Sequence, residues 1–260
     1  MNLEWFEILL AFILGSAIGS FLNVCIYRIP RQMSIIFPAS SCPRCMKPIR
    51  WYDNIPYLSF FLLGRKCRGC GEPISWQYPI VEGASGILCG LLMYLYGASV
   101  PFIIYYFFCA CLIVVTTIDI EFQIIPNVIS VPGIVIGFLV SVVYAGFFIN
   151  TGYIRWYESL LGIVVGSAFL GFVSLIYFFV TKTEGMGMGD IKLIAMIGAF
   201  LGIEGVIVTI LVGSVAGSIM GIILMIRKKG NAKMKLPYGP FLSIGAVSYI
   251  VLRRLVLFSL

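Results

Sequence analysis

Long apolar runs separated by short polar stretches dominate the chain. A helix needs about twenty apolar residues to cross the hydrocarbon core of a bilayer, and backbone groups inside a membrane must be satisfied within helices or closed barrels. The pattern predicts eight membrane-spanning helices, at about 5–27, 78–97, 99–118, 127–148, 158–181, 190–203, 205–226 and 237–258. The run 190–203 is short, so it would cross only if it were nearly upright or in locally thinned bilayer.

Composition agrees with this pattern. The chain is 60% hydrophobic and 11% charged, whereas an ordinary soluble domain is about 25% charged. A soluble protein with a large buried core would need far more polar surface than this chain has.

The first apolar run carries Glu4 and Glu7 and has no basic residue before it. We therefore expect it to remain as a helix and not to be cleaved as a signal peptide.

One polar segment, residues 29–77, interrupts the apolar pattern and is rich in proline and cysteine. A segment of this size is marginal as an independent fold unless a metal or disulfide staples it. We therefore predict three parts: a first transmembrane helix over 1–28, a cysteine-rich insertion over 29–77 and a transmembrane core over 78–260. No internal repeat is apparent. The expected fold class is an all-α, polytopic helical bundle in the membrane.

The positive charges indicate an orientation. The net charge is +7, and eight of the 18 Lys and Arg residues lie between Arg28 and Arg68, with five more between Arg227 and Lys235. Six predicted spans separate these two clusters, so both face the same side, which the positive-inside rule makes cytoplasmic. Charges placed in this way indicate membrane topology, and we expect no nucleic-acid partner. Both termini would lie outside, although the nearby arginines at 253 and 254 fit the rule poorly.

The insertion contains two Cys-x-x-Cys pairs, "CPRC" at 42–45 and "CRGC" at 67–70. Four thiolates can close a tetrahedral structural zinc site, and a cytoplasmic location disfavours disulfides. The predicted zinc ligands are Cys42, Cys45, Cys67 and Cys70. Redox-active or unliganded thiols are the alternative. The other four cysteines fall inside predicted spans and are interpreted as small buried apolar residues: Cys25, Cys89, Cys109 and Cys111.

The chain has three aspartates, and two of them lie at the cytoplasmic ends of apolar runs. Asp53 lies in the insertion, where a turn or cap role is expected. Asp119 follows "CLIVVTTI" and Asp190 precedes "IKLIAMIGAF". Ionisable groups at membrane depth are costly and usually mark a functional site. The predicted topology places both carboxyls at about the same depth on the same side.

Two carboxyls brought together in a low-dielectric site come to share one proton. One can then accept a proton from water while the other donates to a scissile carbonyl, as in aspartic proteases. The chain has no histidine, which excludes Ser-His-Asp, Cys-His and histidine–zinc hydrolysis. Two alternatives stay open. The aspartates could line an ion or proton pathway, or each could cap a helix or pair with a cation such as Lys192.

Three glycines, Gly185, Gly187 and Gly189, precede Asp190 at every second position. Without side chains they allow close approach of another backbone, so they could clear a path for an extended substrate beside the aspartate. They could also mark a flexible loop or close helix packing. Gly-x-Gly-Asp at the edge of a membrane span is a much more specific pattern than Gly-x-Gly alone.

Together these motifs resemble the type IV prepilin peptidase family, the Gly-x-Gly-Asp class of membrane aspartic proteases. The resemblance covers nearly the whole chain in order. It rests on "GSAIGSFLNVCIYRIP" (15–30), the cysteine-rich 41–83, "DIEFQIIPN" (119–127), "GMGMGDIKL" (185–193) and "LPYGPFLSIGA" (236–246). One departure is Asn127, where many relatives have aspartate.

The resemblance implies a bifunctional enzyme of the bacterial inner membrane. It would cut the basic leader from prepilin or pseudopilin precursors after a glycine, at the cytoplasmic face. It would then methylate the new N-terminus with S-adenosylmethionine. Carried over by position, Asp119 and Asp190 are the catalytic pair and the four insertion cysteines bind zinc. Gly187, Gly189 and Lys192 would belong to the active-site loop.

Other implications of the resemblance are less specific. Glu82 is a weak candidate for a role near the methyl donor, and its alternative is a helix-end carboxylate paired with an arginine of the insertion. The break "PYGPF" could bring the last helix close to the aspartates. The partners implied are prepilin precursors and the lipid bilayer, and the sequence leaves room for a homo-oligomer. The competing functions are a peptidase without methylation and a proton-coupled transporter.

Overall fold

The structure, a computed structural model, describes residues 3–147, 154–182, 187–227 and 236–259 of the chain. Within these ranges the helices are α1 Leu3–Arg28, α2 Leu58–Leu62, α3 Gln77–Tyr96, α4 Val100–Phe122, α5 Asn127–Phe147, α6 Trp156–Thr181, α7 Met188–Arg227 and α8 Gly239–Ser259. A 3-10 helix, Trp51–Asn54, precedes α2. The described ranges contain no strand beyond two isolated bridges in the insertion. The all-α prediction is confirmed.

The predicted count of eight spans is not confirmed. Among the described residues, six helices are long and apolar enough to cross a membrane: α1, α3, α4, α5, α6 and α7. The expected spans 190–203 and 205–226 both fall in α7, which is interrupted at Gly202, where φ is 71° and ψ is −173°. Only glycine adopts this conformation readily because a Cβ would clash with the backbone. Gly185 and the basic stretch 228–235 lie outside the described residues.

The first of two compact units, Met1–Val114, contains α1, the insertion, α3 and the first part of α4. Small residues let α1 and α3 pack closely. A Cβ added at Gly19 would lie 2.7 Å from the Cα of Glu82. Arg28, at the end of α1, is buried and donates to the carbonyl of Ser34 at 2.9 Å. The insertion is thereby tied to the helix from which it emerges.

The second unit, Val115–Leu260, is built around the first half of α7, where residues 193–201 are all buried. Gly133 of α5 faces Met196, and the backbones of α6 and α7 approach each other at Gly162 and Gly198. A helix that is apolar on every side is expected where neighbouring helices surround it. The short run 190–203 is therefore the core of this unit, and Asp190 lies at its amino end.

Candidate functional site

Asp119 lies in the last turn of α4 and is only 5% exposed. A carboxylate is unfavourable there because the carboxyl end of a helix carries partial negative charge. The amino end of α8 compensates: the Gly239 N–H donates to Oδ2 of Asp119 at 2.9 Å. Amino ends of helices favour anions because their first N–H groups lack partners within the helix. The α8 terminus therefore stabilises the ionised form of Asp119.

Glycine is required at the contact between α8 and Asp119. A Cβ at Gly239 would lie 2.7 Å from Oδ2 of Asp119 and 3.3 Å from its Cγ, closer than van der Waals contact allows. Pro240 follows as the second residue of α8, where the missing N–H has no partner to lose. The sequence "PYGPF" thus begins a helix whose first N–H meets a buried carboxyl.

Asp190 is the third residue of α7, and its backbone N–H donates to the carbonyl of Gly187 at 3.1 Å. The Asp190 carboxyl is close enough to that of Asp119 for the two to interact electrostatically. The second unit thus brings together two carboxyls from distant parts of the sequence, each at a helix end, with Asp119 buried and Asp190 half-buried.

The three other residues predicted for the active-site loop have different surroundings. Gly187 is exposed, and among the described residues a Cβ there would meet Oδ2 of Asp190 and the N of Gly189, both at 3.8 Å. Gly189 instead backs onto Ile125, whose Cβ would lie 2.9 Å from an added Cβ. Lys192 donates to Oδ1 of Asn127 at 2.9 Å, which links the segments that carry the two aspartates.

The four insertion cysteines converge in the first unit. Their Sγ atoms all lie within 4.8 Å of one another, and those of Cys42 and Cys70 are 3.9 Å apart. Four sulfurs at such separations fit the tetrahedral arrangement that Zn²⁺ or another thiophilic cation takes. Four sulfur ligands would leave no coordination position for water, so an ion held here would be structural and not catalytic.

The two cysteine pairs have the same backbone geometry, which corrects the expectation of no internal repeat. The Cys42 N–H donates to the Lys47 carbonyl at 3.0 Å, and the equivalent bond joins Cys67 to Glu72 at 2.8 Å. The bridges Ser41–Pro48 and Lys66–Pro73 are also equivalent. The missed signal was the shared pattern Cys-x-x-Cys-x-x-Pro-Ile, at 42–49 and 67–74.

The pKa values of two of the four clustered thiols are shifted in opposite directions. The Gly69 backbone N–H donates to the Cys67 sulfur at 3.3 Å and, with the Cys70 N–H, lowers the pKa of the Cys67 thiol to about 7. Although the Glu72 backbone N–H favours the Cys70 thiolate, desolvation and the neighbouring sulfurs raise the pKa of Cys70 to about 12. Four thiolates in so small a volume repel one another unless a cation neutralises them.

Asp53 has a partner beyond a simple turn. It lies in the 3-10 helix and accepts three hydrogen bonds from the Arg68 guanidinium, the two shorter at 2.9 Å from Nε to Oδ2 and 2.8 Å from Nη2 to Oδ1. This hydrogen-bonded arginine holds the pKa of the Asp53 carboxyl below its usual range. Because Arg68 belongs to the second cysteine pair, the contact ties that pair to the rest of the insertion.

Glu82 is buried in α3, and its Oε2 accepts the Tyr57 backbone N–H at 3.1 Å. Tyr57 has a φ of 58°, a conformation unfavourable for a residue with a side chain. The observed partner of Glu82 is therefore a backbone N–H of the insertion, not one of its arginines. The contact anchors the insertion to α3, and the expected role near the methyl donor stays a prediction.

Comparisons with known proteins agree along the chain. The model of the bacterial peptidase A24 N-terminal domain matches residues 13–96, and that of the type IV leader peptidase family matches 106–222. A prepilin leader peptidase/N-methyltransferase of Neisseria gonorrhoeae is 34% identical, over 92% of this chain and 88% of its own length. Proteins of the same name from Pseudomonas putida and Klebsiella pneumoniae are 32% and 36% identical. These matches cover 91% and 79% of this chain, and 88% and 90% of the relatives. No solved structure matches significantly.

Proposed function

The chain belongs to the type IV leader peptidase family, and on this premise we propose that it is a membrane aspartic peptidase with N-methyltransferase activity. Its substrates would be prepilin or pseudopilin precursors, cut after a glycine that ends a basic leader. The observation that carries the proposal is the pair of carboxyls, Asp119 and Asp190, at two helix ends of one compact unit.

The contacts of the pair support different roles for its members. Because the Gly239 N–H donates to Asp119, we assign Asp119 as the ionised member and Asp190 as the protonated member. Asp119 would take a proton from water as the water oxygen bonds to the scissile carbonyl carbon, while Asp190 gives its proton to the carbonyl oxygen. When the tetrahedral intermediate collapses, the C–N bond breaks, Asp119 returns its proton to the leaving amine, and Asp190 takes a proton back from a hydroxyl of the intermediate, which leaves a carboxylic acid.

The position of the pair fits a substrate held by the membrane. Six described helices have the length and hydropathy of membrane spans, and the relatives indicate a multi-pass protein of the inner membrane. Both aspartates lie at ends of such helices. We propose that these ends face the cytoplasm, so that an apolar substrate helix in the bilayer brings its leader junction to the pair.

The four-cysteine cluster and the methyl donor complete the proposal. We propose that Cys42, Cys45, Cys67 and Cys70 hold a structural zinc ion that staples the insertion, as the convergence of their sulfurs supports.

The division into 1–28, 29–77 and 78–260 fits the end of α1 and the start of α3. The name of the relatives implies S-adenosylmethionine as methyl donor, with Glu82 as the candidate residue near it.

The test is to incubate the purified protein with a prepilin and S-adenosylmethionine and to weigh the product. We expect loss of the leader together with the added mass of one methyl group. A product without the methyl group would indicate the peptidase-only alternative. An uncut prepilin, together with proton-coupled flux in liposomes, would contradict the proposal and favour the transporter.

Replacing Gly239 with alanine should lower the kcat of cleavage by roughly a hundredfold, because a misplacement of about 1 Å at a reacting group has effects of this size. The added Cβ would lie 2.7 Å from Oδ2 of Asp119, so α8 and the carboxyl must move apart. The control is Gly171→Ala in α6, where an added Cβ meets nothing within 4 Å. Equal cleavage by the two variants would show that this contact does not position Asp119.

Gly187 and Gly189 should respond differently to substitution. An added Cβ at Gly187 would lie 3.8 Å from Oδ2 of Asp190, an ordinary van der Waals distance, so Gly187→Leu should leave the melting temperature unchanged and reduce kcat/KM by roughly a hundredfold. Gly189→Ala should lower the melting temperature, because its Cβ would overlap Ile125. Wild-type cleavage by Gly187→Leu would remove the substrate-clearance role.

A further inference from the structure

Two hydroxyls, of the half-buried Thr116 and the buried Ser243, lie next to the contact between Asp119 and α8. The Thr116 hydroxyl donates to Oγ of Ser243 at 2.8 Å, and the Ser243 hydroxyl donates to the Gly239 carbonyl at 2.9 Å. Gly239 in turn donates its N–H to Asp119 at 2.9 Å. These bonds form a ring of contacts that begins and ends on α4, at two residues one turn apart.

The geometry of this ring fixes the alignment of α8 against α4. Thr116 and Asp119 are three apart on α4, and Gly239 and Ser243 are four apart on α8, so each pair lies on one helix face. Thr116, the earlier residue on α4, contacts Ser243, the later residue on α8, so the two segments are antiparallel and joined by two hydrogen bonds. The Asp119–Gly239 hydrogen bond alone would let α8 rotate or slide. The Thr116–Ser243 hydrogen bond, one turn away, restrains both movements.

The direction of the Thr116 bond shows that the contact between helices is favoured over a local one. A threonine hydroxyl in a helix ordinarily donates to a carbonyl of the preceding turn, whereas that of Thr116 crosses to Ser243. Apolar side chains drive helix association weakly within a bilayer, because lipid tails are as apolar as the side chains. Hydrogen bonds between helices and close packing therefore decide how α8 is placed against Asp119.

We infer that Thr116 and Ser243 are positioning residues, whose hydroxyl chain holds the amino end of α8 so that the Gly239 N–H is aimed at the Asp119 carboxylate. The inference rests on the proposed function, since it concerns the proposed cleavage site. Asp119 faces the Asp190 carboxyl from α7 and the Gly239 N–H from α8. If the Gly239 N–H no longer pointed at Asp119, the ionised form of Asp119 would be less stable. The proposed mechanism uses this ionised form to activate water.

The test compares Thr116→Val, Thr116→Ser and Ser243→Ala with wild type in prepilin cleavage. Valine keeps the shape of threonine without the hydroxyl, and serine keeps the hydroxyl. We expect Thr116→Val and Ser243→Ala each to lower kcat about tenfold, the size of one lost hydrogen bond to a polar partner. KM should stay the same because neither hydroxyl contacts substrate. The acid limb of the kcat profile should move to higher pH, and Thr116→Ser should restore both readouts.

The control is Ser141→Ala, which removes a buried hydroxyl that donates to the Phe138 carbonyl in its own helix. It should leave kcat and the acid limb as in wild type. The double variant Thr116→Val/Ser243→Ala should lose no more than either single variant, because both break the same chain. If Thr116→Val does not accumulate in the membrane, Ser243→Ala decides by the same readouts.

The outcomes separate this inference from the proposed function. A wild-type protein that leaves prepilin uncut would contradict the proposed function itself. A wild-type protein that cuts, with single variants whose kcat and acid limb match it, would overturn the positioning role alone. Losses that multiply in the double variant without any shift of the acid limb would also overturn it, because they would indicate two independent packing defects.

Discussion

Asparagine in place of either Asp119 or Asp190 should lower kcat/KM for prepilin cleavage at least about a thousandfold, within the range of general acid–base catalysis. Asparagine has the size of aspartate and keeps an oxygen that can accept the Gly239 N–H now bonded to Asp119. It cannot take a proton from water or give one to a carbonyl at ordinary pH. The substitution therefore removes the proposed chemistry while leaving the packing in place.

Initial rates of leader release measure this effect, with the melting temperature of each variant as a check on folding. The matched control is Glu7→Gln, which changes an exposed carboxylate of α1 in the other unit and should cut at the wild-type rate. Asp119→Asn or Asp190→Asn enzymes that still cut at a substantial rate would show that the carboxyls do not perform the reaction.

Serine in place of Cys42 should abolish zinc binding. Wild type is expected to carry about one zinc ion per chain, as a four-thiolate site does. The variant should retain almost none after dialysis against a mild chelator, because a hydroxyl is a poor ligand for zinc beside three thiolates. A structural zinc site contributes on the order of 10 kcal/mol to the folding of a small module, so the insertion should also become sensitive to protease.

Elemental analysis and limited proteolysis measure the two effects of the cysteine substitution. Cys111→Ser is the control, since Cys111 lies in α4 and is not a member of the cluster; it should keep both the zinc and the protease resistance. Wild-type protein can be stripped with a chelator, freed of the chelator in metal-free buffer and then given zinc. If it binds none after this treatment, the ligand assignment is contradicted. Equal zinc contents in Cys42→Ser and wild type would contradict it as well.

Hydropathy located most helices to within a few residues. The expected spans 78–97 and 158–181 correspond to α3 at Gln77–Tyr96 and α6 at Trp156–Thr181. This worked because the bilayer requires a long apolar run for each helix. The expected boundary between 190–203 and 205–226 falls at the break in α7, although the count of eight spans is not confirmed. The break at Gly202 depends on a local backbone conformation that apolar content does not encode.

The aspartates could be singled out from the sequence, but their surroundings could not. Charge at membrane depth is rare enough for Asp119 and Asp190 to stand out. The donor to Asp119, the Gly239 N–H, is 120 positions away along the chain, and a backbone group has no residue-type signature. Thr116 and Ser243 are also inconspicuous, because hydroxyl residues in membrane helices commonly bond to their own backbone. Only tertiary packing reveals which hydroxyls cross between helices.

The central claim is that Asp119 and Asp190 act as one catalytic pair, and a double-variant cycle tests it most directly. The measurement is kcat/KM for prepilin cleavage by wild type, Asp119→Asn, Asp190→Asn and the variant carrying both substitutions. If the carboxyls share one reaction, all three variants should fall to the same residual rate, because removing either member already ends the chemistry. A single variant near the wild-type rate, or a double loss equal to the product of the single losses, would contradict the claim.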